Sequence, residues 1–242
     1  MPDLNYHGTV VAFDLDDTLF RERDFCRSGF RFLCDSALYR VSDNLVNLPE
    51  ESLRHLVSQM DEELNHKRNP FVPFEEFFKP LVEDKGEEWN LDRHIAAYRT
   101  HLPKNLKFAE GAEETLNCLA RRGVRMAVIT DGRSVTQRRK IEALALNRFV
   151  APDLILISGE TGHDKHEKHM FATVVREFPE ANKFVYVGDN VSKDFYYPNL
   201  MGWLSVQAPP DDDNVHMNQV AKSCLYEPKI KLEKFDYLCN YL

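Results

Sequence analysis

Five short runs of apolar residues punctuate the chain: TVVAFDL from Thr9, RMAVIT from Arg125, LILIS from Leu154, KFVYVGD from Lys183 and WLSVQ from Trp203. Several are nearly continuous in apolar character rather than alternating, the pattern of strands covered on both faces and hence of a parallel sheet. Between them apolar positions fall at helical spacing, as in Leu116, Leu119 and Ala120 ahead of Gly123, or Phe171, Val174, Val175 and Phe178 ahead of Pro179. Strand, helix, strand, helix in succession predicts a doubly wound α/β fold.

One stretch breaks the alternation. From about Arg21 to Asn105 there is no strand-like run, while Cys26, Phe30, Leu33, Ala37 and Val41 keep helical spacing, as do Leu53, Leu56, Val57, Met60 and Leu64. NPFVPFEEFF and EEWNLDRHIAAY add two more helical segments. Roughly 85 residues of helix is too much for an ordinary crossover. The expectation is a helical cap domain over residues 21–105, inserted into an α/β core made of residues 1–20 and 106–242.

Composition narrows the setting. With 43% hydrophobic residues over 242 positions the chain can bury a core, and its net charge of −8 argues against sequence-independent nucleic-acid binding, which needs a basic footprint. The cysteines, Cys26, Cys34, Cys118, Cys224 and Cys239, are odd in number and show no metal-ligand spacing. No charged-then-apolar leader precedes the first strand, and no apolar run reaches the length of a membrane span. A cytoplasmic protein with no membrane or nucleic-acid partner is expected.

The strand ends carry the chemistry. In open α/β sheets ligands lie beyond the carboxyl ends of the strands, and there the sequence puts Asp14 and Asp16, Thr130 and Asp131, and Asp189, with Asp194 five residues on. Carboxylates gathered on one rim repel unless a cation joins them, and an all-oxygen set suits magnesium better than zinc. A polyanionic substrate, foremost a phosphate, follows. One carboxylate can attack phosphorus; a second, two residues along an extended chain, faces the same side and can protonate the leaving oxygen. A hydroxyl and an ammonium group, available in Thr130 and Lys165, would cradle the transferring charge.

These residues fall in a known order. DLDDT offers Asp14, Asp16 and Thr18 in the spacing D-x-D-x-T; VITDG brings Thr130; SGETGHDK brings Lys165; GDNVSKD brings Asp189 and Asp194. The chain thereby resembles the haloacid dehalogenase-like hydrolase superfamily over residues 9–20 and 106–207. The resemblance implies Asp14 as nucleophile and metal ligand, Asp16 as general acid/base lending its backbone carbonyl to the metal, and Asp189 as third protein ligand of Mg2+. It implies a phosphate cradle of Thr130, Asp131, Gly132 and Lys165, with Asp194 orienting Lys165 or a metal-bound water. His166 stands where many relatives have proline, and Asp17 where glycine is common.

The expected activity is magnesium-dependent hydrolysis of a small phosphorylated metabolite, a nucleotide or sugar phosphate, through an aspartyl phosphate. Competing readings are a phosphosugar mutase with the same intermediate, a haloacid dehalogenase and a non-catalytic binding module. Other residues read more simply as structure. Thr18 bonds backbone in its turn, Asp17 caps a helix, and His163, His166 and His169 belong to a solvated segment. Trp89 and the phenylalanines of FVPFEEFF belong to a core. Arg21, Arg23, Arg27, Lys67 and Arg68 are surface charges before they are substrate contacts, Arg133 is balanced between the two, and Lys168 is the rival of Lys165.

Overall fold

The strands form where the apolar runs lie. In the computed structural model, which describes residues 8–41, 49–211, 213–214 and 219–242, β1 (Thr9–Phe13), β2 (Arg125–Thr130), β3 (Ile155–Ile157), β4 (Lys183–Gly188) and β5 (Leu204–Gln207) join one sheet. Its order is β3-β2-β1-β4-β5-β6, every pairing parallel. The sixth strand, β6 (Ile230–Lys231), was not expected: its two residues form no apolar run and are recruited by pairing with Val206 and Gln207. The doubly wound α/β fold is thus the one observed.

β1 is central and buried along its whole length. Side chains alternate across a strand; Val10 and Ala12 meet Met170, Phe171 and Val174 of a helix over His169–Glu177, while Val11 and Phe13 bury the opposite face. Each valine and phenylalanine among them contributes about 1.5–3 kcal/mol relative to exposure, which fixes the register. Asp14 N–H still donates to Val187 O at 2.8 Å, so pairing carries one residue past β1 and delivers the first acid to the sheet edge.

The chain divides into two compact units, one running through Glu22 and resuming at Lys104–Leu242, the other Arg23–Pro103. The second contains α1 (Glu22–Val41) from Arg23 on, α2 (Glu50–Asn65), α3 (Phe71–Glu83) and α4 (Leu91–Thr100). Its core is Cys26, Phe30, Leu33, Cys34, Ala37, Leu53, Leu56, Met60, Phe74, Phe78 and Val82, with Trp89 packed against it. Val41, last of the expected α1 stripe, has its side chain outside the described residues. Asp61 accepts bonds from Arg23 and Arg27 at 2.9–3.2 Å. Despite burial, those guanidinium groups hold its carboxyl below the usual range. No helix among the described residues is long and apolar enough to cross a membrane.

In the first unit the remaining helices are α5 (Ala112–Arg121), α6 (Ser134–Ala143), the one-turn α7 (Ser158–Thr161), α8 (His169–Glu177) and α9 (Tyr196–Leu200). Where the sequence expected Ser158 to end a strand, it opens α7 instead.

Candidate active site

Four strand ends converge beyond the sheet. After β1 the chain turns tightly, Leu19 N–H bonding Leu15 O at 3.0 Å and Ala109 N–H bonding Leu19 O at 2.8 Å. Asp17 sits at φ 51°, the left-handed region that glycine adopts freely and aspartate tolerates. Its carboxylate accepts Glu22 N–H at 2.8 Å, anchoring the start of α1. Burial pushes the Asp17 carboxyl up to about 7. Thr18 does not bond turn backbone: its hydroxyl faces Asp189 at 3.5 Å.

The loops after β2 and β3 are stitched together. Gly132 N–H donates to Ser158 Oγ at 2.9 Å and Gly159 N–H to Gly132 O at 3.0 Å, so closely that a Cβ on Gly159 would lie 2.6 Å from that carbonyl. Asp131 accepts from Lys165 N–H at 3.1 Å and from Lys193 Nζ at 3.2 Å. His166 N–H donates to Asp164 Oδ1 at 2.8 Å, a bond proline could not make.

At the centre lies Lys165, without exposed surface. Its ammonium is 2.5 Å from Asp14 and 2.8 Å from Asp194; these distances single it out over Lys168. Burial works against its charge, but Asp14 and Asp194 outweigh it and hold its pKa well above the ordinary value. Burial pushes the Asp14 carboxyl up to about 6, with Lys165 pulling the other way. Asp194 is saturated: besides Lys165, Tyr186 OH approaches at 3.4 Å, and the N–H groups of Asp189 and Asn190 donate at 3.1 and 2.8 Å.

Asp189 differs. Its side chain is buried, and its bonds come from neutral groups, Asn214 Nδ2 at 3.0 Å and the distant Thr18 hydroxyl. Burial, then Asp194 and Asp14, raise its carboxyl well above the usual range. Oxygens of Asp14, Asp189 and Asp194 all lie within 4.8 Å of one another, the one such three-residue cluster among the described residues. A buried carboxylate with no cationic partner among the described residues, facing a second acid, fits a hard cation held by oxygen.

Above these acids opens a cavity of about 130 Å³ lined by Asp14, Asp16, Asp17, Glu22, Asp131, Asp189, Asn190 and Lys193. Asp16 does not touch Lys165. Its carboxylate accepts from Lys140 Nζ at 2.6 Å and from Gln137 Nε2 at 2.8 Å, and Gln137 also reaches Thr130 Oγ1 at 2.7 Å. Thr130 itself is fully buried at the end of β2.

Sequence reasoning missed Gln137, Lys140 and Lys193. Gln137 and Lys140 occupy, with Ile141, the buried face of α6, where a helical period leads one to look for apolar residues. Lys193 lies inside GDNVSKD, where its charge was overlooked. Away from the site, Arg21 pairs with Asp211, Arg68 with Glu63, and the imidazoles of His163 and His169 stack 3.9 Å apart. Arg133 is exposed at the start of α6.

Comparisons with known proteins agree with this geometry. The haloacid dehalogenase-like hydrolase family matches residues 9–195. The chain is 28% identical over 218 residues to ribulose-1,5-bisphosphate 5-phosphatase of Halopiger xanaduensis, covering 86% of this chain and 87% of that protein. It is 26% identical over 200 residues to glyceraldehyde 3-phosphate phosphatase of Methanocaldococcus jannaschii, covering 81% and 83%. In fold it is similar to YfnB of Bacillus subtilis, described as a HAD-hydrolase and crystallised with magnesium. There the TM-score is 0.63 and the identity 19%, over 97% of this chain and 98% of that one. With strands, acids and lysine in that family's order, the chain belongs to the haloacid dehalogenase-like hydrolases and is an enzyme.

Proposed function

We propose that the protein is a magnesium-dependent phosphatase acting on a small phosphorylated metabolite through an aspartyl phosphate on Asp14. It hydrolyses phosphate esters, as do the relatives whose names state their reactions. Those relatives act on a sugar bisphosphate, glyceraldehyde 3-phosphate and phosphoserine, so within the nucleotide or sugar phosphate class we favour sugar phosphates. The observation that carries the reading is the pairing of charge: Lys165 is bound by Asp14 and Asp194, Lys140 by Asp16 and Glu22, and Lys193 by Asp131, while Asp189 has only neutral partners among the described residues. A phosphate dianion entering such a site needs a further cation.

Asp14, the backbone carbonyl of Asp16 and Asp189 would hold Mg2+. When bound, the ion would supply the positive charge that offsets the carboxylates and the phosphoryl group. The protein's own residues do the rest. Asp14 attacks phosphorus, forming an acyl phosphate as the P–O bond to the leaving group breaks, and Asp16 gives that oxygen its proton. Asp16, now a base, takes a proton from water as it attacks phosphorus, releasing phosphate and restoring Asp14. Lys165 and the Thr130 hydroxyl, in a cradle with Asp131 and Gly132, stabilise the transferring charge; Asp194 keeps Lys165 in line.

Residues 1–20 and 106–242 serve as the catalytic core, and the helical residues 21–105 as a cap whose task is to exclude bulk water during turnover. The five free thiols suit a reducing cytoplasm. The test is phosphate release from a panel of sugar phosphates, nucleotides and phosphoserine, with magnesium and with chelator, for wild type and Asp14→Asn. Magnesium-dependent release from a narrow subset, abolished by a folded Asp14→Asn, supports the reading. Activity of that variant within about tenfold of wild type overturns the covalent role, since losing a nucleophile costs several orders of magnitude.

A further inference from the structure

We propose that Lys140 and Gln137 are positioning residues for Asp16, fixing the carboxyl group that exchanges protons with the ester oxygen and the attacking water. This rests on the phosphatase reading and adds two residues outside the four motifs that carry the family resemblance.

The two side chains stand three residues apart on α6 and so share a face. Both are buried, Gln137 at 1% and Lys140 at 2% exposure. An ammonium and an amide in such positions cost stability unless paired, and an apolar pair would pack a buried helix face at less cost. Their partners are the reacting groups. Lys140 Nζ bonds one Asp16 oxygen at 2.6 Å; Gln137 Nε2 bonds the other at 2.8 Å.

With a separate donor on each oxygen, both the direction and the plane of the carboxyl group are set by one rigid helix. Glu22, 3.5 Å from Lys140, gives the ammonium a second carboxylate that helps hold it at Asp16. Gln137 does a further thing. By donating to Thr130 Oγ1 at 2.7 Å it takes up a lone pair of that hydroxyl and leaves its hydrogen to be donated to a phosphoryl oxygen. One amide therefore aligns the proton donor and the phosphate cradle together.

The experiment compares kcat/KM for phenyl phosphate and 4-nitrophenyl phosphate, with magnesium, in wild type, Lys140→Met, Gln137→Leu and, as reference, Asp16→Asn. The parameter reports events through cleavage of the ester bond. Nitrophenolate departs without a proton; phenolate needs one. Lys140→Met is expected to lose at least about tenfold more on phenyl phosphate than on 4-nitrophenyl phosphate, in the direction of Asp16→Asn and short of it. Equal losses on both esters, or no loss, in a folded variant overturn the proposal. If Lys140→Met does not fold, Gln137→Leu decides by the same comparison, with a selective loss of about threefold or more expected. Wild type inert on both esters would sink the phosphatase reading and this inference with it, whereas equal losses in an active enzyme sink the positioning role alone.

Discussion

Replacing Lys165 by Met removes one ammonium from between two buried carboxylates. The side chain has no exposed surface, lies 2.5 Å from Asp14 and 2.8 Å from Asp194, and methionine fills nearly its volume, so the loss is one of charge rather than of packing. Breaking a buried pair by deleting one partner costs about 3–5 kcal/mol. At about 2–4 °C per kcal/mol for a chain of this size, that is a fall in Tm of about 6–20 °C. The cost has a pH signature. The Asp14 carboxyl already stands at about 6 in the folded protein, against 3.8 ordinarily, and loses in Lys165 the group that holds it down. A carboxyl raised on folding makes the native state bind more protons than the unfolded one, so stability falls as pH rises from the unfolded value through the folded one. Without Lys165 that window extends upward. The deficit against wild type is expected to be larger at about pH 8 than at about pH 5, where Asp14 is neutral in both proteins. Thermal melts followed by circular dichroism, in chelator, measure this directly. A deficit below about 1 kcal/mol at the higher pH, or one that grows on acidification, would show that Lys165 is not the counter-charge of this pair.

Two further outcomes are expected. If Asp14 and Asp189, both raised by burial, hold the metal, protons compete with it at each, so magnesium affinity by titration calorimetry should fall at least about tenfold per pH unit below about pH 6, and about a hundredfold where both carboxyls titrate, with protons released on binding; affinity constant from there down to about pH 5 would refute the assignment of these ligands. Gly188→Ala places a Cβ 2.5 Å from Asp194 Oδ2, forcing the anchor of Lys165 to move. A loss of about 1–3 kcal/mol with a fall in kcat is expected, and a variant with unchanged melting and turnover would show that Asp194 is free to yield.

Much of the fold was legible because burial imposes a pattern on sequence. β1, β2, β4 and β5 are covered on both faces and read as apolar runs, and the interruption between β1 and β2 exposed the second unit. β6 was illegible: Ile230–Lys231 owes its strand to the edge of β5 rather than to any preference of its own. In the site, Asp14, Thr130 and Asp189 stood out because each terminates or follows a strand, and Lys165 by its spacing to Glu160 and Gly162. Gln137 and Lys140 did not, since periodicity counts apolar residues, and a helix that turns polar groups inward toward other polar groups gives no such signal. Thr18 was misread for a related reason: a threonine in a turn ordinarily finds local backbone, and only the parallel pairing of β1 with β4 brings Asp189 near it.

The distribution of charge explains why the site takes this form. Six carboxylates and one ammonium group line the cavity, an arrangement that on its own repels phosphate. The lysines do not reverse this, because each is committed: Lys165 to Asp14 and Asp194, Lys140 to Asp16 and Glu22, Lys193 to Asp131 in the loop after β2. Their function is to hold acids in place. In the proposed mechanism recognition of the substrate's charge comes with the cation, and Asp189, whose partners among the described residues are neutral, lies beside Asp14 to receive it. On that reading the enzyme is blind to phosphate esters until the cation binds, and its acids, held by their own lysines, are already in position when the two arrive together.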